Sequence, residues 1–177
     1  MNSEGEGNMD VFSAIRKRRS IRAYQEKPVP AGKLRRVLEA ARLAPSARNR
    51  QEWRFIAVRD AETRQKLMAA AKAQGFVAQA PVTLVFCANE GTDIMSCGQP
   101  TSTVDVSIAM AYATLAATAE GLGTCWLGSF TESAVKEILG IPKEARVVAV
   151  SPLGYPAQKP GPRPRKKFAE VVRFEKW

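Results

Sequence analysis

The chain has 177 residues, of which 45% are hydrophobic and 25% charged, so it can bury the core of one ordinary globular domain. Its 27 Lys and Arg against 17 Asp and Glu leave a net charge of +10, which suits nucleic acid, an anionic membrane surface or an anionic ligand. Histidine is absent, which excludes Ser-His and Cys-His nucleophile pairs and histidine metal sites. The three cysteines contain no Cys-x-x-Cys pair, so neither a disulfide framework nor a zinc or iron–sulfur cluster is supported.

Residues 1–8 are rich in Gly, Ser, Glu and Asn and are expected to be a disordered tail, with 9–177 forming one domain. The N-terminus carries Glu4 and Glu6 and no apolar run, so it does not read as a signal peptide. With odd, scattered cysteines, a reducing cytoplasm is the expected compartment.

Asp10 is placed to cap a short helix over 11–17, with Phe12 and Ile15 on one face. The basic run Arg16-Lys17-Arg18-Arg19-Ser20-Ile21-Arg22 follows. In an extended segment Arg18, Ser20 and Arg22 point one way and Arg19 the other. That row of guanidinium, hydroxyl and guanidinium suits a long anionic ligand, and a solvated basic turn is the plainer reading. Pro30 suits the start of a helix running to about Leu43, where Leu34, Val37, Leu38 and Ala41 repeat with helical spacing. It ends near Ala44, because Pro45 disfavours helix in the residue before it.

The stretch 45–53 gathers small and amide side chains ahead of a strand over 53–58. It reads as a connecting loop, or as a loop whose hydroxyl and amide groups meet the polar edge of a ring. Asp60 is placed to cap a helix over 61–74, and 82–88 is apolar on both faces, as a central strand is. Cys97 lies in the loop 89–100, with no neighbouring base or cation, and reads as a bystander. A small-residue helix spans 101–120, with Val104, Ile108, Ala111, Leu115 and Ala119 along one face. It is too short between Asp105 and Glu120 to cross a membrane, and is expected to be buried, in part across a subunit interface.

Gly121-Leu122-Gly123 ends that helix and leads to a strand over 124–127, but no dinucleotide-binding glycine fingerprint follows. Gly128 suits a point where something flat approaches the main chain. Trp126 and Phe130 read as ring-lining or as plain core. Thr131 is placed to cap a helix over 133–139, and 146–151 is a last core strand. Residues 152–156 form a turn. A tail rich in Pro, Lys and Arg then ends in Phe168, Val171, Val172, Phe174 and Trp177, and this apolar finish is expected to pack on the core or on a partner. The aromatics do not interleave with the basic runs as base-stacking platforms would, so only net charge favours nucleic acid.

Taken together, these pieces resemble the flavin-dependent nitroreductase family. The resemblance rests on Arg18-Arg19-Ser20-Ile21-Arg22, on 44–53 (Ala-Pro-Ser-Ala-Arg-Asn-Arg-Gln-Glu-Trp), on Gly121-Leu122-Gly123 leading to Gly128, on Pro152-Leu153-Gly154-Tyr155-Pro156, and on Pro164-Arg165-Lys166-Lys167. Glu52 stands where the family pattern has proline. The resemblance implies an α+β fold, a mixed and mostly antiparallel sheet flanked by helices, and an intertwined homodimer whose 157–177 segments reach over the partner. It implies FMN as cofactor and NADH or NADPH as donor. An electron-poor small molecule, such as a nitroaromatic or quinone, would be the acceptor in a ping-pong cycle.

By the same resemblance, Arg18, Arg19, Ser20, Arg165 and Lys167 would meet the phosphate, and Arg22 the N1–O2 edge that gains charge on reduction. Pro45, Ser46, Ala47 and Asn49, from the partner chain, would line other edges of the ring. Trp126, Leu127, Gly128 and Ser129 would lie beside it, with main-chain N–H groups at N5. No protein nucleophile, metal, nucleic acid or membrane is implied. A flavin sensor or store with little turnover is the other reading.

Overall fold

The sheet is built on β2 (Val82–Ala88), whose seven residues are all buried. In this computed structural model, which describes residues 9–89 and 93–177, β2 pairs antiparallel with β1 (Trp53–Val58) on one side and β4 (Arg146–Gly154) on the other. The short β3 (Gly123–Thr124) adds antiparallel to β4, giving the order β1-β2-β4-β3 among the described residues. The expected tail 1–8 lies outside the described residues, as does part of the loop 89–100.

Alternation along β2 feeds two cores. Val82, Leu84, Phe86 and Ala88 pack with α2 (Ala31–Arg42) and α5 (Thr101–Ala119) through Leu34, Val37, Val106, Met110 and Ala113. Val85 and Cys87 face Leu67, Val77 and Val135 from α3 (Ala61–Ala70), α4 (Phe76–Gln79) and α6 (Glu132–Leu139). This is the expected α+β architecture. Asp10 caps α1 (Val11–Lys17) as expected, accepting the Ser13 N–H at 3.0 Å, and Asp60 caps α3 through Thr63.

Several expectations need correction. The helix from 61 stops at Ala70, because Lys72 and Ala73 turn left-handed before α4. The predicted strand 124–127 pairs only at its start, and Leu127 rejoins the sheet through a single bridge to Val150. β4 continues through the expected turn as far as Gly154. Thr131 makes no side-chain cap, and its hydroxyl instead accepts from Lys72 Nζ at 3.0 Å.

The most informative correction concerns α5. Its buried residues are Asp105, Val106, Ala109, Met110, Ala113 and Ala117, with Thr101, whereas Ala111 and Ala119 are exposed and Val104, Ile108 and Leu115 half-buried. The face read from sequence is the outward one. Small and hydroxyl residues are spread all round this helix, so it carries no periodic signal to say which side meets the sheet. Phe12 and Ile15 of α1 are likewise exposed, at 67% and 53%. So are Phe168 and Val171 of α7 (Phe168–Val171), and Phe174 and Trp177 beyond it. Among the described residues no helix is long and apolar enough to cross a membrane.

Candidate functional site

The basic segment leaves α1 at Arg18, whose N–H still bonds the Ala14 carbonyl, and continues extended. Ile21 N–H donates to the Thr124 carbonyl at 2.9 Å, fixing the segment beside β3. Farther along, Gln25 N–H donates to the Tyr155 carbonyl and Ala157 N–H to the Ala23 carbonyl, each at 2.9 Å. These bonds start the C-terminal tail alongside the first basic run. The buried Tyr24 adds a brace: its hydroxyl donates to the Ile21 carbonyl at 2.8 Å, and burial pushes its phenol well above the usual range.

The two runs enclose a cleft of about 890 Å³. Arg16, Arg18, Arg19, Ser20 and Arg22 line one wall, and Gln158, residues 160–162, Arg163 and Arg165 the other. Among the described residues, six arginines face it and no carboxylate does. Such a density of like charge is unfavourable unless an anion relieves it. The expected division of Arg19 from its neighbours does not hold. Arg19 also lines the cleft, bent back so that Nη1 donates to the Arg16 and Arg18 carbonyls at 2.7 and 2.8 Å.

Lys167 does not line the cleft; it is the N-cap residue of α7, and its N–H donates to Glu170 Oε2 at 2.7 Å. Arg163 stands in the wall instead. The signal that would have found it is the Pro162-Arg163-Pro164-Arg165 repeat, whose prolines keep the backbone extended and present both arginines before α7 begins.

The turn that carries Pro45, Ser46, Ala47 and Asn49 lies at a second cleft of about 350 Å³, lined by Ala47, Arg48, Arg50, Asp93, Met95 and Thr101 among others. Arg48, Asn49 and Gln51 all have positive φ, near +54°. Ser46 Oγ accepts the Gln51 N–H at 3.1 Å, and the buried Asp105 carboxylate accepts the Ala47 N–H at 3.1 and 3.2 Å. Glu52 and Asp93 both pair with Arg50.

Residues 126–129 do not line the arginine cleft either. Trp126 is 43% exposed, which corrects the core reading, while Leu127 is buried and both its N–H and its carbonyl bond Val150. Gly128 and Ser129 are exposed, and apart from its chain neighbours no described residue comes within 4 Å of where a Cβ would sit on Gly128. The chain's own packing therefore does not require glycine there. Cys125, behind this stretch, is buried; burial pushes its thiol up against the opposing pull of Arg22 and Arg18. Burial likewise pushes the Cys87 thiol up to about 11. Neither is a ready nucleophile. Cys97 is exposed, with no resolved contact that assigns it chemistry.

The fold is α+β, and among the described residues its arginine cleft offers guanidinium groups and one hydroxyl, a donor set that suits an anionic group. The family model described as the nitroreductase family matches residues 15–75 and 68–155. The chain belongs to that family. It is 35% identical to a protein named NADH dehydrogenase from Thermus thermophilus, over 93% of this chain and 95% of that one. It is 31% identical to the FMN reductase [NAD(P)H] of Bacillus subtilis, over 88% of this chain and 70% of the relative. Among solved structures, the NADPH:FMN oxidoreductase of Vibrio harveyi complexed with NAD+ aligns with a TM-score of 0.86 and 27% identity, covering 94% of this chain and 77% of that one.

Proposed function

We propose that this chain is an NAD(P)H-dependent flavin oxidoreductase that uses FMN and reduces a small electron-poor acceptor by two electrons. The observation that carries the reading is the meeting of Arg18, Ser20 and Arg22 with Arg163 and Arg165 around one cleft that no carboxylate lines among the described residues. The donor set fits a phosphate dianion: guanidinium forks and one hydroxyl. FMN, held by these residues, would supply the two-electron redox chemistry between NAD(P)H and an acceptor such as a nitroaromatic or quinone, in a ping-pong cycle.

The chain's own task is electrostatic and steric. Arg163, Arg165, Arg18 and Ser20 hold the phosphate. Arg22 presents a fixed positive charge to the pyrimidine edge, favouring the reduced and more negative ring. The open Gly128 lets main chain approach the flat ring closely.

The functional unit in this reading is a homodimer. Two observations support it. Phe12, Ile15, Phe168 and Phe174 are exposed apolar side chains, and the outward face of α5 is apolar. The 45–49 turn lies at a different cleft from the arginines within one chain, so a second chain is needed to bring such a turn over the ring.

An anaerobic absorbance spectrum tests the reading. The purified protein should be yellow with about one FMN per chain, and NADH or NADPH should bleach it within the time of a stopped-flow shot. A colourless protein that ignores added FMN overturns the proposal. A yellow protein that neither cofactor bleaches makes it a flavin store or sensor.

A further inference from the structure

The 46–51 turn is a strained piece of backbone held from outside by one buried charge. Arg48, Asn49 and Gln51 adopt left-handed φ values of 53°, 55° and 55°, which L residues rarely take and which surroundings must enforce. Most of the turn's own bonds are internal. Asn49 N–H donates to the Ser46 carbonyl, Arg50 N–H to the Ala47 carbonyl, and Gln51 N–H to Ser46 Oγ. Among the described residues, the side chain from outside that bonds its main chain is Asp105, with the Ala47 N–H at 3.1 and 3.2 Å from its two oxygens. Asp105 is 8% exposed, on the second turn of α5, immediately before Val106, Ala109 and Met110, which α5 buries against the sheet.

A buried carboxylate is costly unless it is bonded, and its place on a packed helix leaves it little room to move. We propose that Asp105 is a positioning residue for the flavin site. It fixes the Ala47 amide, and through it the direction in which Ser46 and Asn49 are presented. This rests on reading that turn as a flavin contact. The geometry also separates the two roles of α5: the apolar residues of its buried side hold the fold, and Asp105 on that side anchors the turn.

Two variants and a control test it. Asp105→Leu keeps the branched shape and removes the acceptor, whereas Asp105→Asn keeps an oxygen for the Ala47 N–H. Thr83→Val is the control. It removes a buried hydroxyl bond to the Val77 carbonyl in the other core, so it lowers Tm without touching the turn. The first readout is amide exchange at 47–51 in protein stripped of FMN. The second is FMN affinity together with the midpoint potential of the bound flavin.

Asp105→Leu should speed exchange at Ala47 and its neighbours about tenfold or more, weaken FMN by a similar factor and shift its potential, in line with losing a hydrogen bond to a charged group. Asp105→Asn should recover most of each, and Thr83→Val should change none of them. Exchange at 47–51 equal to wild type in Asp105→Leu, or unchanged FMN affinity and potential, overturns the proposal. Wild-type protein that takes up no FMN overturns the flavin reading instead, while the exchange measurement still judges Asp105.

Discussion

The Ile21 side chain occupies the space that a Cβ on Gly123 would need. A Cβ built on Gly123 would lie 2.5 Å from Ile21 Cγ1 and 2.8 Å from Ile21 Cβ. The glycine that follows α5 is therefore the floor on which the basic segment lies, and the bond from Ile21 N–H to the Thr124 carbonyl fixes its height. Gly123→Ala should push residues 20–22 away from β3. The expected cost is about 1–3 kcal/mol of stability, as for overpacking elsewhere, with weaker FMN binding. Thermal melts and flavin titration measure both, and Ile21→Ala added to Gly123→Ala should restore part of each.

Arg22→Ala should lower both the affinity for FMN and its midpoint potential, because a positive charge beside the ring favours the reduced form. The potential decides the point. A value unchanged from wild type removes Arg22 from the ring edge and leaves it a surface arginine.

Arg163→Ala and Arg165→Ala should each weaken FMN by about ten- to a hundredfold, the loss expected for a charge-assisted bond to phosphate. Lys167→Ala should do much less, since Lys167 caps α7 and does not line the cleft. Titrations at two salt concentrations sharpen the contrast, because the arginine variants should also flatten the salt dependence. Equal losses at 165 and 167 would contradict this division.

Glu120 gives a pH prediction away from the site. Arg36 binds it through Nε and Nη2 at 2.5 and 2.7 Å, and these bonds hold its carboxyl below the ordinary value of 4.5. A depressed carboxylate pKa contributes stability that is fully present above the unfolded value and is lost as pH falls through the folded one. The pair is largely solvent-exposed on the arginine side, so Glu120→Gln should cost about 1 kcal/mol or less at pH 7. Urea midpoints of wild type and variant should differ at pH 7 and converge below pH 4.5.

The proposed dimer should be breakable on α5. Tyr112 is exposed there, whereas the half-buried Ile108 packs against the core. Light scattering should give twice the chain mass for the wild type. Tyr112→Glu should give one chain mass and lose FMN, because a charge there cannot be desolvated against a second copy. A dimeric, yellow Tyr112→Glu protein would place the interface elsewhere.

The sequence by itself determined what short-range chemistry can specify. The capped starts of α1 and α3 follow from Asp10 and Asp60, and the all-buried β2 follows from its unbroken apolar run. Histidine's absence ruled out whole classes of mechanism, and the order of the basic, amide and glycine motifs pointed to the family. Only the tertiary structure decided which side of α5 faces inward, because small apolar and hydroxyl residues are spread all round it and leave no preferred face until a sheet is laid against it. It also decided that Arg163, rather than Lys167, shares a cleft with Arg18 and Arg22. That choice depends on a backbone bond between Ala157 and Ala23, and no local pattern of residues encodes a contact so distant along the chain.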